Sequence, residues 1–334
     1  MKNSFLSLVI IAICILFTGI IAGFALGSKD ISLTNTYTAF TQFDPQNSDH
    51  LLVYHLRVPR TLIAALSGAA LAVAGLLMQS LTRNPMADAG VLGINAGASL
   101  LIVLFIAITG ISSIHWHMAA GFSGALFSVV LVTWLGTLGR NYSPLRIILA
   151  GVAFSAVFLA LTQLIILNSN EQVFDQFRHW SVGSVAGRSL HVLWPLTVLS
   201  VFSIVFSLLL SRSLDALCLG GELAKAVGVK TEYVWLMTLL IITLLAGSAT
   251  AAVGPIAFVG LMVPHIVRAF STQDHWKLII LASLIGATTL VLADVIGRII
   301  FSPAEVSAGI IMALIGGPCF IYLAQKRHIG ELQS

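Results

Sequence analysis

The sequence predicts an all-α, polytopic membrane protein with about ten transmembrane helices. Three observations carry that expectation. Of 334 residues, 58% are hydrophobic and only 9% are charged, whereas a soluble domain carries about 25% charged residues. Such a chain cannot cover its surface in water, so lipid must be the solvent for most of it. Apolar runs of about 20 residues, the length a helix needs to cross the hydrocarbon core, recur along the chain. The longest polar stretches, about 27–60 and 168–189, are too short to hold a soluble domain, so 1–334 reads as a single membrane domain.

The first run, 5–26, follows Lys2. It exceeds the 7–15-residue apolar stretch of a signal peptide, and no clear small-x-small cleavage site precedes a soluble domain. It is expected to remain as the first helix. Further runs fall at 61–81, 91–108, 118–138, 145–167 and 190–210, then at 233–253, 256–270, 278–296 and 308–324. The least obvious division is the one at 253–256. Residues 233–270 form a single stretch of 38 residues, too long for one crossing at about 1.5 Å per residue, and Gly254-Pro255 supplies the break. Small residues crowd several runs, as in Gly68-Ala69-Ala70 and Gly93, Ala96, Gly97 and Ala98. Close backbone approach through such residues is what packs helices in lipid.

Ten crossings put both termini on one side. With that side cytoplasmic, eleven of the 17 Lys and Arg residues lie inside, and Lys29, Arg57, Arg60, Arg178, Arg188 and Arg298 lie outside, in accord with the positive-inside rule.

Several function classes fall away. The basic residues are scattered singly and form no patch, so no nucleic acid is expected as a partner. Cys14, Cys218 and Cys319 have no metal-ligand spacing, and neither metal nor other cofactor is expected. Gly121-Phe122-Ser123-Gly124 matches the Gly-x-Ser-Gly of intramembrane serine proteases, but no later helix offers a central histidine as base. His115-Trp116-His117 reads as an interfacial tryptophan with polar neighbours. A proton- or ion-coupled carrier would place an ionisable group near the midplane, and no Asp, Glu or Lys is clearly mid-helix. Without a Gly-x-x-x-x-Gly-Lys-Ser/Thr loop, the chain cannot cradle ATP itself.

Residues 214–229 lie between the sixth and seventh runs yet are too apolar for a solvated loop. At helical spacing Leu219, Leu223, Ala226 and Val227 share one face, with Glu222 and Lys225 on another. A short amphipathic helix of this kind lies on a membrane or docks into a partner. Its Gly220…Ala224…Gly228 pattern resembles the coupling segment through which ABC importer permeases engage their ATPases. A longer series resembles the FecCD/BtuC-like permease family of ABC importers for iron-siderophores, haem and vitamin B12. It begins with Arg57-Val58-Pro59-Arg60, Gly68 to Gly75, Gln79 and Arg83-Asn84-Pro85-Met86-Ala87-Asp88. It continues through Gly90, Gly93, Asn95 and Gly97 to Gly254-Pro255, Pro264-His265 and Arg268. Ala293-Asp294, Arg298, Pro303, Glu305, Gly309 and Gly316-Gly317-Pro318 close it.

That resemblance implies a type II ABC importer permease fold, in which ten-helix subunits pair around a central path. It implies ATPase coupling through Leu217, Gly220, Glu222, Ala224 and Gly228. Arg57, Arg60 and Arg298 are implied to receive glutamates of an extracytoplasmic substrate-binding protein, through planar bidentate pairing. Asp294, one helical turn before Arg298, would hold that arginine in place. An inner gate is implied at Asn84, Pro85 and Met86, together with Ser143, Pro144 and Leu145. The implied partners are cytoplasmic ABC ATPase subunits, the binding protein and a second permease subunit. The implied location is the bacterial inner membrane with both termini cytoplasmic, and the implied cargo is ferric siderophore, with haem and cobalamin behind it.

Overall fold

The computed structural model describes residues 2–111, 113–137, 144–270 and 274–332, with side chains described for these apart from 2–4, 144, 221 and 323–332. Among the described residues all regular structure is helical. In order come α1 (Lys2–Ala25), α2 (Leu33–Thr41), α3 (Ser48–Leu52), α4 (Val58–Thr82), α5 (Ile94–Thr109), α6 (Ile114–Thr137) and α7 (Pro144–Leu167). Then follow α8 (Glu171–Ser181), α9 (Leu190–Cys218), α10 (Gly221–Ala226), α11 (Thr231–Val253), α12 (Val259–Phe270), α13 (His275–Ile299) and α14 (Ala308–Leu332). A π-helical turn at Val53–Arg57 leads into α4, and a 3₁₀ turn at Ala89–Leu92 leads into α5.

Seven of these stretches are long and apolar enough to cross a membrane, and Ile94–Thr109, Val259–Phe270 and Ala308–Tyr322 are shorter apolar helices. Together they correspond to the ten expected runs. The division at Gly254-Pro255 holds: α11 stops at Val253, Gly254 takes φ +83°, and α12 begins only at Val259. Residues 256–258, expected within the eighth helix, lie outside it, and Phe258 has φ +69°.

Helix α4 is the centre of the bundle. It is buried from Ser67 through Leu81 without interruption, packed by α13, α11, α9 and α12. The small residues explain how four neighbours fit. A Cβ added at Gly75 would stand 2.1 Å from the Gly260 carbonyl oxygen, and one at Gly68 would stand 2.2 Å from that of Gly286. Backbone thus meets backbone at both crossings, which is the close approach that drives helix association in lipid. By contrast α1, α7 and α9 carry large exposed apolar side chains such as Ile10, Phe17, Leu149, Leu164, Phe202 and Leu209. In water that surface would be untenable; in a bilayer it is the lipid-facing ring.

The polar stretches contain helices that the apolar pattern does not reveal. Ser32 caps α2 through Asn35 N–H, Asn47 caps α3 through Asp49 N–H, and Asn170 caps α8 through Val173 N–H. Helix α9 also runs on to Cys218, well past the expected end near 210.

Candidate functional site

Polar side chains gather at the two ends of α4. At its N-terminal end, Asp294 of α13 accepts from Arg60 Nε at 3.0 Å and from Arg60 Nη2 at 2.8 Å. The same carboxylate accepts from Arg298 Nη2, one turn along α13, as the spacing predicts. Arg60 Nη1 reaches Glu305 at 2.6 Å, and Glu305 also accepts from the Ser28 hydroxyl at 2.8 Å. Arg298 gives its Nη1 to the Gly23 carbonyl at 2.8 Å. Arg57 gives Nη1 to the Ala25 carbonyl and Nη2 to the Lys29 carbonyl, each at 2.5 Å. Helix carbonyls at a C-terminus have no partner within the helix, so the end of α1 is the acceptor these arginines find.

Of the three arginines expected as a docking set, Arg57 and Arg298 are enclosed in this conformation. Arg57 is 4% exposed and Arg298 2%, and both guanidinium groups are taken up by the chain itself. Their role in this conformation is to tie α1, α4 and α13 together. Arg60 is 12% exposed and its partner Glu305 30%, which makes that pair the accessible edge of the cluster. Burial raises the Glu305 carboxyl, but the hydrogen bond and charge of Arg60 outweigh it and hold the group below its ordinary value.

At the other end of α4, four ties converge. His275 Nδ1 lies 2.6 Å from Asp215 on α9, and its Nε2 lies 2.7 Å from the Ser80 hydroxyl. Arg83 donates to the Leu217 carbonyl at 2.6 Å, and Arg268 of α12 to Gln79. A cavity of about 770 Å³ lies among these residues. The hairpin that follows is the expected coupling segment. Leu217 itself belongs to α9; Glu222 and Ala224 lie on α10. Ala224 is fully buried, while Leu219, Leu223 and Val227 are 66%, 60% and 67% exposed, so one apolar face turns away from the bundle. Gly220 has φ +125° and Gly228 φ +83°, with no atom near a Cβ at either. Glycine is needed there for backbone conformation rather than for space.

Pro85 and Met86 face Phe258, Leu261, Met262, His265 and Phe320 across a narrow apolar cleft, with the Phe258 and Phe320 rings 6.3 Å apart. Asn84 shapes the turn by accepting from Met86 N–H at 3.0 Å. Ser143 lies outside the described residues, as does the side chain of Pro144. Leu145, 64% exposed at the start of α7, does not line this cleft. Phe258 and Phe320 escaped the sequence reading, because nothing in a local pattern marks a residue that meets Met86 from so far along the chain.

The FecCD transport family model matches residues 11–326. The chain belongs to the FecCD transport family. It is 44% identical over 308 residues to the ferric enterobactin transport system permease protein FepD of Escherichia coli (strain K12), covering 91% of each chain. It is 37% identical over 324 residues to the probable siderophore transport system permease protein YfiZ of Bacillus subtilis (strain 168), covering 95% of this chain and 96% of that one. Among solved structures, a metal-chelate type ABC transporter in an inward-facing conformation superposes with TM-score 0.85 at 28% identity, covering 96% and 99% of the two chains. Like other FecCD proteins, this one is the membrane-spanning permease subunit of an ABC importer and not itself an enzyme.

Proposed function

We propose that this FecCD permease carries a ferric siderophore inward, with the α10 hairpin engaging cytoplasmic ATPase subunits and the Arg60 end receiving a substrate-binding protein. The observation that carries the reading is the hairpin: an apolar Leu219–Leu223–Val227 face with no partner among the described residues, bracketed by two left-handed glycines. A face of that kind lies on a membrane or in a protein groove, and the family of the chain favours the groove. The excess of Lys and Arg on the hairpin side supports a cytoplasmic position for it and for both termini. The cargo class follows the ferric enterobactin and siderophore permeases to which the chain is similar.

At the opposite end, an incoming carboxylate can take the place of Glu305 on Arg60 Nη1, while Asp294 keeps the guanidinium in position. Arg57 and Arg298 act as positioning residues beneath it. Closure of the ATPases on ATP would push the 214–229 segment and, through Arg83, Ser80 and His275, the ends of α4 and α13. A second permease subunit, the same chain or a related one, would complete the path, with the Pro85–Met86–Phe258 cleft as part of its inner gate.

The test is uptake of radioiron, offered as a panel of ferric siderophores, in cells lacking this chain and in cells with it restored. Haem and labelled cobalamin are run alongside. Rescue by a siderophore is the expected result; rescue by haem or cobalamin alone would refute the cargo.

A further inference from the structure

Helix α2 presents three sides, and two of them are taken up by the chain. Thr36 and Ala39 turn inward, where Ala39 packs with Ile31 and Val53, the latter at the start of the π-helical turn that carries Arg57. Asn35 and Thr38 face α3: Asn35 Nδ2 donates to Asp49 at 3.1 Å, and the Thr38 hydroxyl lies 3.0 Å from His50 Nε2. The third side holds Leu33, Tyr37 and Phe40, at the i, i+4, i+7 spacing of one helical face. These are 72%, 68% and 49% exposed, and Leu33–Thr41 contains no Asp, Glu, Lys, Arg or His.

What lies against that side follows from α1. Phe17, Ile21 and Phe24 repeat the same spacing, turned away from Gly19 and Gly23, which lie against Val291 and Leu292 of α13 and Thr61 of α4. Phe17 and Ile21 are exposed, so this stripe faces lipid. Phe24 is its half-buried member, with the Phe40 ring centred 5.6 Å away. At about 1.5 Å per residue the 24 residues of α1 span about 36 Å. The hydrocarbon core is about 30 Å thick, so the last turn of α1 stands in the headgroup layer at the Arg60 end. The apolar stripe thus continues from α1, without a charged residue, through Phe40 and Tyr37 to Leu33.

We propose that α2 is an interfacial helix, its Leu33–Tyr37–Phe40 side seated among the headgroups and upper acyl chains of the leaflet at the Arg60 end. Aromatic rings with a polar tip favour that layer, where one end is apolar and the other wet. A helix with one apolar and one polar side lies in the boundary plane rather than across it. The rival occupant is a protein, above all one that comes to the Arg60–Glu305 edge. Two observations favour lipid: the face adjoins the lipid-facing stripe of α1, and it offers no charge for a partner surface to pair with. Through Ala39 and Val53 the seated helix holds the turn bearing Arg57 at a fixed height above the bilayer.

The test uses the full-length permease with its ATPase in lipid nanodiscs, with Cys14→Ser, Cys218→Ser and Cys319→Ser as background. One cysteine at a time is introduced as Leu33→Cys, Tyr37→Cys or Phe40→Cys, and a nitroxide is attached. Collision with oxygen, which concentrates in lipid, is compared with collision with a water-soluble nickel chelate. Phe17→Cys is the lipid reference, and Gln46→Cys, in the exposed turn after α2, is the aqueous one. All three α2 labels are expected to favour oxygen, at depths between the two references and about 5–10 Å into the headgroup boundary. Adding the substrate-binding protein should change none of them. Labels that favour nickel as strongly as the aqueous reference would overturn the proposal. Labels shielded from both reagents would overturn it too, since only a second protein surface does that. Labels that lose mobility only when the substrate-binding protein is added would give the face to that protein instead. Each position is read independently, so one variant that fails to fold leaves the others decisive.

Discussion

Asp294 sits 1% exposed between two guanidinium groups, and each of the three charges is tolerated in the interior only because the others are there. Removing one partner strands the rest, which costs about 3–5 kcal/mol when the pair is buried. Arg298→Ala should therefore reduce the folded fraction in detergent, read by size-exclusion profile and thermal unfolding, before any effect on docking is visible. Lysine should not rescue it, since a point ammonium cannot reach the Gly23 carbonyl and Asp294 in the same fork. Arg60→Ala removes the other partner of Asp294 and should lower the unfolding temperature as well. In the fraction that still elutes as a single folded species, binding-protein affinity should fall more than tenfold, and unchanged affinity would sink the docking assignment. Glu305 gives the cluster a pH dependence. Its folded-state pKa lies below the ordinary 4.5, so its contribution is fully present above that value and is lost as pH falls through the lower, folded-state one. Melting temperatures of wild type and Glu305→Gln should differ at neutral pH and converge in acid; a constant gap would show that Glu305 is not paired with Arg60.

Where α4 crosses α12, Gly75 and Gly260 leave no room for a methyl group. Gly75→Val must separate the two helices, and overpacking of that kind costs about 1–3 kcal/mol; thermal unfolding of the purified variant measures it. In the α10 hairpin the demand is conformational. Gly220→Leu places a side chain at φ +125°, a strain of order 1–3 kcal/mol, and should weaken ATPase association without lowering folded yield. Retained association in that variant would refute the coupling role. These elements also show what a sequence can and cannot disclose. The ten apolar runs, the Gly254-Pro255 break, the Gly220 and Gly228 positions and the Asp294–Arg298 turn were all legible, because each depends on residues close in the chain. Helix α8 was missed although Asn170 caps it and Val173, Phe177 and Trp180 share its inner face; in a stretch that polar, the spacing was the only signal. The burial of Arg57 and Arg298 was not legible at all. Their acceptors are main-chain carbonyls at the end of α1, and every residue type offers a carbonyl.

Across the whole molecule, α4 and α13 join the two polar ends. Arg60 and Asp294 meet at one end, and Ser80 and His275 meet at the other, so a push on the hairpin has a packed route to the Arg60–Glu305 edge. No proton is needed to drive such a stroke, and Asp88 lets that be tested. Its carboxylate accepts from Gly90 N–H at 3.3 Å, has no ion pair among the described residues, and is raised above its ordinary range by burial, against the opposing pull of the Gly90 and Ala89 backbone. A largely buried carboxyl that titrates high is what a proton-driven carrier would use. In an ATP-driven permease the same residue is a helix cap, packed so closely on Gly260 that a Cβ there would lie 2.4 Å from its oxygen. Asparagine caps as well as aspartate does and cannot be ionised. Asp88→Asn should thus keep ATP-dependent uptake in proteoliposomes within about twofold of wild type, with a protonophore changing neither. Because burial disfavours the charged form, stability from the neutral carboxyl is present at low pH and declines as pH rises through the raised pKa. The variant should accordingly match wild type in acid and equal or exceed it in melting temperature at neutral pH. Abolished uptake in a fully folded Asp88→Asn protein would instead mean that a proton passes through this site during transport.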